Sequence, residues 1–256
     1  MAEVLAIVNQ KGGVGKTTTA INLSAALAAA EHKVLLVDLD PQSNATSGIG
    51  INGGARGASI YRALIGELDP SSAVADTELE FLKVLPSSDE LAGAEIELVD
   101  MPDRESRLKH ALAGLTGAYE YIIIDCPPSL SLLTINALCA AQAVLVPLQC
   151  EYYALEGLGR LLNTIKLVQD RLNPQLKIEG IVLTMFDQRN NLSWQVVEEI
   201  SKHFKDLAYK TMIPRNVRLG EAPSFGKPII LYDINSPGAQ SYLALAREFL
   251  KRKAKK

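Results

Sequence analysis

The chain has 256 residues with a formal net charge of −3, 48% hydrophobic and 21% charged, a balance that fits one large α/β domain or two small ones and makes a sizeable buried core available. No apolar run reaches the length of a membrane-spanning helix, and the N-terminus lacks a basic stretch followed by an apolar signal core, so a cytoplasmic location is expected. Three scattered cysteines, Cys126, Cys139 and Cys150, form no CxxC pair and have no histidine at zinc-ligand spacing, which argues against a disulfide framework or a metal cage.

Val4–Val8 is a short apolar run of strand type, followed at once by Asn9-Gln10-Lys11-Gly12-Gly13-Val14-Gly15-Lys16-Thr17-Thr18 and a helical pattern over Thr17–Ala30. A strand, a Gly-rich turn and a helix opening on Gly-Lys-Thr are the context of a phosphate loop. Gly12, Gly13 and Gly15 let successive N–H groups close around an anion at the helix N-terminus. Lys16 then reaches the β- and γ-phosphates of a nucleotide, and the Thr17 hydroxyl can ligate Mg²⁺. No GxGxxG fits these residues, which excludes the dinucleotide fingerprint.

The second strand, Lys33–Asp38, ends in Asp38-Leu39-Asp40-Pro41-Gln42, so both carboxylates emerge on the rim where the phosphate loop lies. Capping of the following segment is the alternative role for both. The Gly/Ser-rich stretch Ser43–Ser59 reads as a mobile loop. A strand at Phe81–Leu85 and a helix over Leu91–Leu112 follow. Next, Tyr121–Asp125 is an apolar strand that terminates in a carboxylate, where Asp125 can hold Mg²⁺ through water, and Pro127 and Pro128 stop it. Helices Ser131–Ala140, Leu155–Leu172, Leu192–Phe204 and Gln240–Lys251, with strands Ala143–Leu148 and Ile178–Thr184, complete the pattern. The expectation is a mostly parallel twisted sheet with helices on both faces, with residues 1–256 as a single domain and 251–256 as a basic tail.

The loop departs from the common phosphate-loop pattern, with Gln10 where a glycine is usual and a second lysine, Lys11, near its start. KGGVGKTT, the segment Asp38–Thr46 (DLDPQ-x-NAT) and Asp125-Cys126-Pro127-Pro128 together resemble the ParA/Soj branch of the ParA/MinD family of ATPases, from Leu5 through Ala222–Pro228. The resemblance implies a P-loop ATPase fold using ATP and Mg²⁺, with weak hydrolysis stimulated by a partner. It implies that Lys11 reaches the nucleotide of a second copy, so that ATP holds a homodimer, and that Asp40 positions or activates the attacking water while Asp38 supports Mg²⁺ and the local hydrogen bonding. It also implies that Met212–Asn216 frames the adenine, with Pro214 and Asn216 as base contacts; from the residues alone that segment is a turn.

Arg189 and Arg218 align with family positions that bind DNA nonspecifically, and Arg215 and Lys227 lie near them in sequence. Residues 187–256 carry 13 Lys/Arg against 7 Asp/Glu, but much of that excess is the tail, so charge alone does not define a DNA surface. The resemblance further implies a nucleoid-associated protein that drives chromosome or plasmid partition, with hydrolysis reset by a ParB/Spo0J-like centromere-binding protein. A MinD-like or polar-localisation ATPase that positions a membrane or protein cargo is the alternative. The tail lacks a large apolar face, so no stable membrane anchor is expected.

Overall fold

The computed structural model describes residues 1–51, 58–151 and 154–254. Seven strands occur among them: β1 (Glu3–Ile7), β2 (Val34–Asp38), β3 (Ala75–Asp76), β4 (Leu82–Leu85), β5 (Tyr121–Asp125), β6 (Ala143–Gln149) and β7 (Lys177–Thr184). They form one sheet in the order β3-β4-β2-β5-β1-β6-β7. Every pairing is parallel except β3 with β4. The fold is α/β, a mostly parallel sheet between helical layers, and the C-terminal ends of the parallel strands share one rim.

The helices are α1 (Lys16–Ala29), α2 (Asn44–Gly48), α3 (Ile60–Ile65), α4 (Leu91–Glu97), α5 (Arg107–Ala113), α6 (Leu132–Ala140), α7 (Ala154–Arg171), α8 (Asn191–His203), α9 (Val217–Glu221), α10 (Ile229–Tyr232) and α11 (Pro237–Lys253). Alternation along β1 assigns them to layers. Val4, Ala6 and Val8 enter a core with α3 through α8, whereas Leu5 and Ile7 enter a second core with α1, α10 and α11. Burying strands on both faces removes the polar alternation a half-exposed strand would show, and each fully buried Leu or Ile contributes roughly 1.5–3 kcal/mol.

The expected strands and helices match the observed ones to within three residues, apart from one long helix. The helix expected over Leu91–Leu112 is broken into α4, a single 3₁₀ turn at Leu98–Asp100 and α5. Pro102 is the cause: it disfavours helical geometry at Met101, and Asp103 then takes a left-handed φ of 53°. Part of the loop expected at Ser43–Ser59 is the helix α2, entered through Ser43 at φ 53°; positions 52–57 lie outside the described residues. Beyond β7, isolated parallel bridges join Ile181 with Ala208 and Phe186 with Pro214.

The tail is continuous with α11 as far as Lys253; Lys255 and Lys256 lie outside the described residues. Arg252 stacks 3.8 Å over the Tyr209 ring and pairs with Glu248, and Lys253 pairs with Glu3 and Glu179. Two of the tail's cations are therefore structural ties at the edge of the sheet where the strands begin.

Candidate nucleotide site

β1 delivers the chain into the phosphate loop, and α1 begins at Lys16. Gly13 and Gly15 have φ of 73° and 86°, a region where a side chain is strained, although a Cβ on Gly12 or Gly13 would meet nothing within 4 Å. Glycine is thus required by backbone direction here, and the open space in front is available to a ligand. The loop is pinned from behind: Thr184 Oγ1 donates to the Val14 carbonyl at 2.8 Å, and Asn9 Nδ2 donates to the Pro147 carbonyl at 2.7 Å. Asn9 Oδ1 accepts from the Lys11 N–H at 3.0 Å.

The two lysines differ in setting. Lys16 is 6% exposed and donates from Nζ to the Lys11 carbonyl at 3.1 Å. Burial pushes its pKa down, opposed by the charges of Asp125 and Asp40. Lys11 keeps 45% of its side chain exposed and pairs with Glu151, which follows β6 and also accepts from Gln149. Lys11 faces outward at the mouth of the loop.

Register explains how the carboxylates meet. Asp125 lies opposite Ile7 on one side and Asp38 on the other, because β5 runs between β1 and β2. The Leu39 N–H donates to the Asp125 carbonyl at 3.0 Å, joining the two acidic segments. Burial raises the Asp125 pKa well above the carboxylate range, Asp38's charge adds to that, and the nearby Thr17 hydroxyl opposes it. Burial likewise raises Asp38 to about 6, against hydrogen bonds from Thr46.

Neither Asp125 oxygen has a hydrogen-bond partner of good geometry, although both are buried. Two orphaned carboxylate oxygens beside Thr17, with Asp38 and Asp40 close by and Lys16 as neighbouring cation, fit a divalent cation shared with phosphate oxygens. No group of three His, Cys, Asp or Glu side chains among the described residues could hold a metal by itself. Asp38 fits a metal role less well: Oδ1 accepts from the Asp40 N–H, and Oδ2 accepts from both the N–H and the hydroxyl of Thr46.

Beside the loop, a cavity of about 200 Å³ is lined by Gly15, Thr18, Pro214, Asn216, Leu219 and Tyr242, among others. Pro214 and Asn216 are brought there because Ile213 donates to Leu183 and Phe186 donates to Ile213, which lays this segment along the end of β7. Asn216 Oδ1 is buried without a partner, an acceptor suited to an amino group on a base. Tyr242 was not anticipated from sequence; it reaches the cavity from α11 and hydrogen-bonds Thr19 at 3.1 Å.

A family model described as an AAA domain matches residues 2–178. The chromosome partitioning protein ParA of Myxococcus xanthus is 59% identical over 98% of this chain and 89% of its own length. The sporulation initiation inhibitor protein Soj of Bacillus subtilis is 59% identical over 97% and 98%. The chain belongs to the ParA/Soj family of partition ATPases. Its fold superposes with TM-score 0.86 on a Mycobacterium smegmatis protein solved with an ATP analog and magnesium under the name cobyrinic acid a,c-diamide synthase, which is 40% identical and covers 99% of this chain and 96% of that one. The chain is an ATP hydrolase, and ATP and Mg²⁺ are its substrate and cofactor.

The basic residues of this ParA/Soj ATPase are largely occupied. Arg189 is 85% exposed but forms a two-pronged pair with Asp187, at 3.0 and 2.9 Å, and its guanidinium holds the Asp187 pKa down to about 2. Arg218 pairs with Glu221 at 2.8 Å and Asp233 at 3.5 Å, and Lys227 with Glu78 at 3.5 Å. Arg215 is exposed and has no ion pair among the described residues. The Phe186–Pro214 bridge brings Arg215 toward Asp187 and Arg189, and its charge helps lower the Asp187 pKa. Lys227 lines a different cavity, with Thr17, Asn44 and Pro223.

Proposed function

We propose that this ATPase dimerises around ATP, binds DNA without sequence preference as the dimer, and drives chromosome or plasmid partition, with a ParB-like partner stimulating an otherwise weak hydrolysis. In this reading Lys16, the loop residues Gly12 to Thr18 and the 200 Å³ cavity hold a subunit's own nucleotide. Thr17 and Asp125 hold Mg²⁺, which when bound neutralises charge on the β- and γ-phosphates. Asp40 orients the attacking water, and Lys11 serves the partner's nucleotide.

The observation that carries the dimer is the contrast between the lysines. Lys16 turns its ammonium into its own loop, whereas Lys11 points out from the mouth and is held by an exposed carboxylate. Exposed pairs of this kind contribute roughly 0–1 kcal/mol, so a polyphosphate in a closed interface can take Lys11 over.

The 59% identical relative named for chromosome partitioning supports DNA as the cargo. Against a membrane-targeting reading stands α11, whose Tyr242, Leu245, Ala246 and Phe249 are buried in the core, which leaves no broad apolar face to insert. No helix among the described residues is long and apolar enough to cross a membrane. Gel shift on random DNA with and without ATP, run beside liposome sedimentation, tests the proposal: ATP-dependent DNA retention supports it, and ATP-dependent sedimentation without DNA binding overturns it.

A further inference from the structure

Asp40 is held by a closed circuit of hydrogen bonds that local sequence does not reveal. Its N–H donates to Asp38 Oδ1 at 3.2 Å. Its carbonyl accepts from Ser87 Oγ at 2.8 Å and from the Ser43 N–H at 2.9 Å. The Ser87 N–H donates to Thr46 Oγ1 at 3.0 Å, and Thr46 Oγ1 donates to Asp38 Oδ2 at 2.7 Å, which closes the circuit. Thr46 also donates its N–H to the same oxygen at 2.7 Å. Asp38, Thr46 and Ser87 are 0%, 2% and 1% exposed.

The circuit grips the Asp40 backbone on both sides and leaves its carboxylate nearly free. One carboxylate oxygen accepts from the Gln42 N–H at 3.0 Å, and the other has no partner among the described residues. Fixing both flanking peptide planes fixes the direction in which the side chain leaves the chain, and water orientation is sensitive to displacements of an ångström. The Thr46 hydroxyl is the keystone, because it donates to one member of the circuit and accepts from another. Valine has the same shape and can do neither.

We propose that Thr46 and Ser87 are positioning residues for hydrolysis, acting through the Asp40 backbone, and that Asp38 is spent on this circuit rather than on Mg²⁺. The proposal rests on the reading of Asp40 as the residue that orients water. Ser87 follows β4, 41 residues beyond Thr46, so the circuit also fastens the acidic segment after β2 to the neighbouring strand.

Steady-state and single-turnover ATP hydrolysis, with separate measurement of ATP and Mg²⁺ affinity, should be compared for wild type, Asp40→Ala, Thr46→Val, Thr46→Ser and Ser87→Ala. Thr46→Val and Ser87→Ala should lower kcat about 10- to 100-fold with ATP and Mg²⁺ affinities within about twofold of wild type. Thr46→Ser, which keeps the hydroxyl, should restore most of the rate. A role confined to folding would shift affinity and rate together and would not be rescued by serine. Should Thr46→Val not fold, Ser87→Ala and Thr46→Ser decide: a slow Ser87→Ala beside a near-normal Thr46→Ser supports the circuit. Normal kcat in Ser87→Ala with an inactive Asp40→Ala overturns the circuit alone, and loss of Mg²⁺ affinity in Thr46→Val overturns the assignment of Asp38. Normal turnover in Asp40→Ala overturns the reading of Asp40 and the circuit with it.

Discussion

Asp38 and Asp125 stand opposite each other in register on adjacent parallel strands, yet Asp38 has both oxygens engaged and Asp125 neither. In the proposed reading the pair divides two tasks that sequence order alone would assign to either: one carboxylate organises the neighbouring segment, and the other is left for a cation.

Asp125→Asn should therefore remove the magnesium-dependent part of ATP binding. In the wild type, a ligand at 100 times its Kd stabilises the fold by about 2.7 kcal/mol, which for a chain of this size moves Tm by roughly 5–10 °C. Thermal melts with ATP in the presence of Mg²⁺ or of EDTA should differ in the wild type and coincide in Asp125→Asn. Asp38→Asn should retain the difference.

Lys16→Ala should lose ATP binding, since the ammonium nearest the loop is removed, whereas Lys11→Ala should bind ATP and remain monomeric. Glu151→Ala frees Lys11 from its carboxylate and should leave dimerisation unchanged or strengthen it by up to about fivefold, the worth of an exposed pair. Equilibrium nucleotide binding with light scattering checks all three. An ATP-loaded Lys11→Ala dimer would end the cross-subunit role.

Asp187 occupies the Nε and Nη2 edge of Arg189 and offsets its charge, so a DNA phosphate at this arginine competes with that carboxylate. Asp187→Asn should accordingly raise affinity for random DNA, and Arg189→Ala should lower it, both without changing ATP-driven dimerisation. The same pair has a pH signature. Asp187 is depressed to about 2 in the fold from an ordinary value of about 3.9, so its contribution to stability is present above pH 4 and is lost as pH falls through 2. Arg189→Ala should raise Asp187 toward the ordinary range, with the residue-189 N–H and the Arg215 charge still holding it below that range, and added DNA should raise it in the wild type, both readable by NMR titration of the carboxyl carbon.

Lys253→Ala should cost about 1–3 kcal/mol by chemical denaturation, the usual effect of removing one hydrogen bond to a charged group, because the Glu179 side chain is fully buried but keeps the Tyr209 hydroxyl as a partner, and Lys253 is 17% exposed. Deleting the chain after Leu250 would therefore confound DNA binding with folding. Lys251→Ala, at an exposed position, separates them: it should weaken DNA binding, if at all, without a change in stability.

The sequence carried the parts of this molecule that are local. Lys11 through Thr18, and Asp125 at the end of an apolar run, can be read directly, because a loop that wraps phosphate and a strand that ends in a carboxylate each depend on adjacent residues. The break at Pro102 was also present in the sequence, but the apolar periodicity on either side of it outweighed a single proline. The two-residue strand β3 and the five-residue α2 are too short to show a period, and α2 follows a serine in a left-handed conformation that composition does not suggest. Thr46 with Ser87, Lys11 with Glu151 and Tyr242 with Thr19 are 41, 140 and 223 residues apart. Their meeting depends on strand order and on where α11 docks, and neither is written in any one segment.

α11 lines the nucleotide cavity with Tyr242 and, eleven residues later, ties Lys253 to Glu3 and Glu179 where the strands begin. At about 1.5 Å per residue this is a strut of roughly 16 Å, so one helix is common to the nucleotide cavity and to the edge where the strands begin. A ligand that fills the cavity against Tyr242 should then slow hydrogen exchange at that far edge as well.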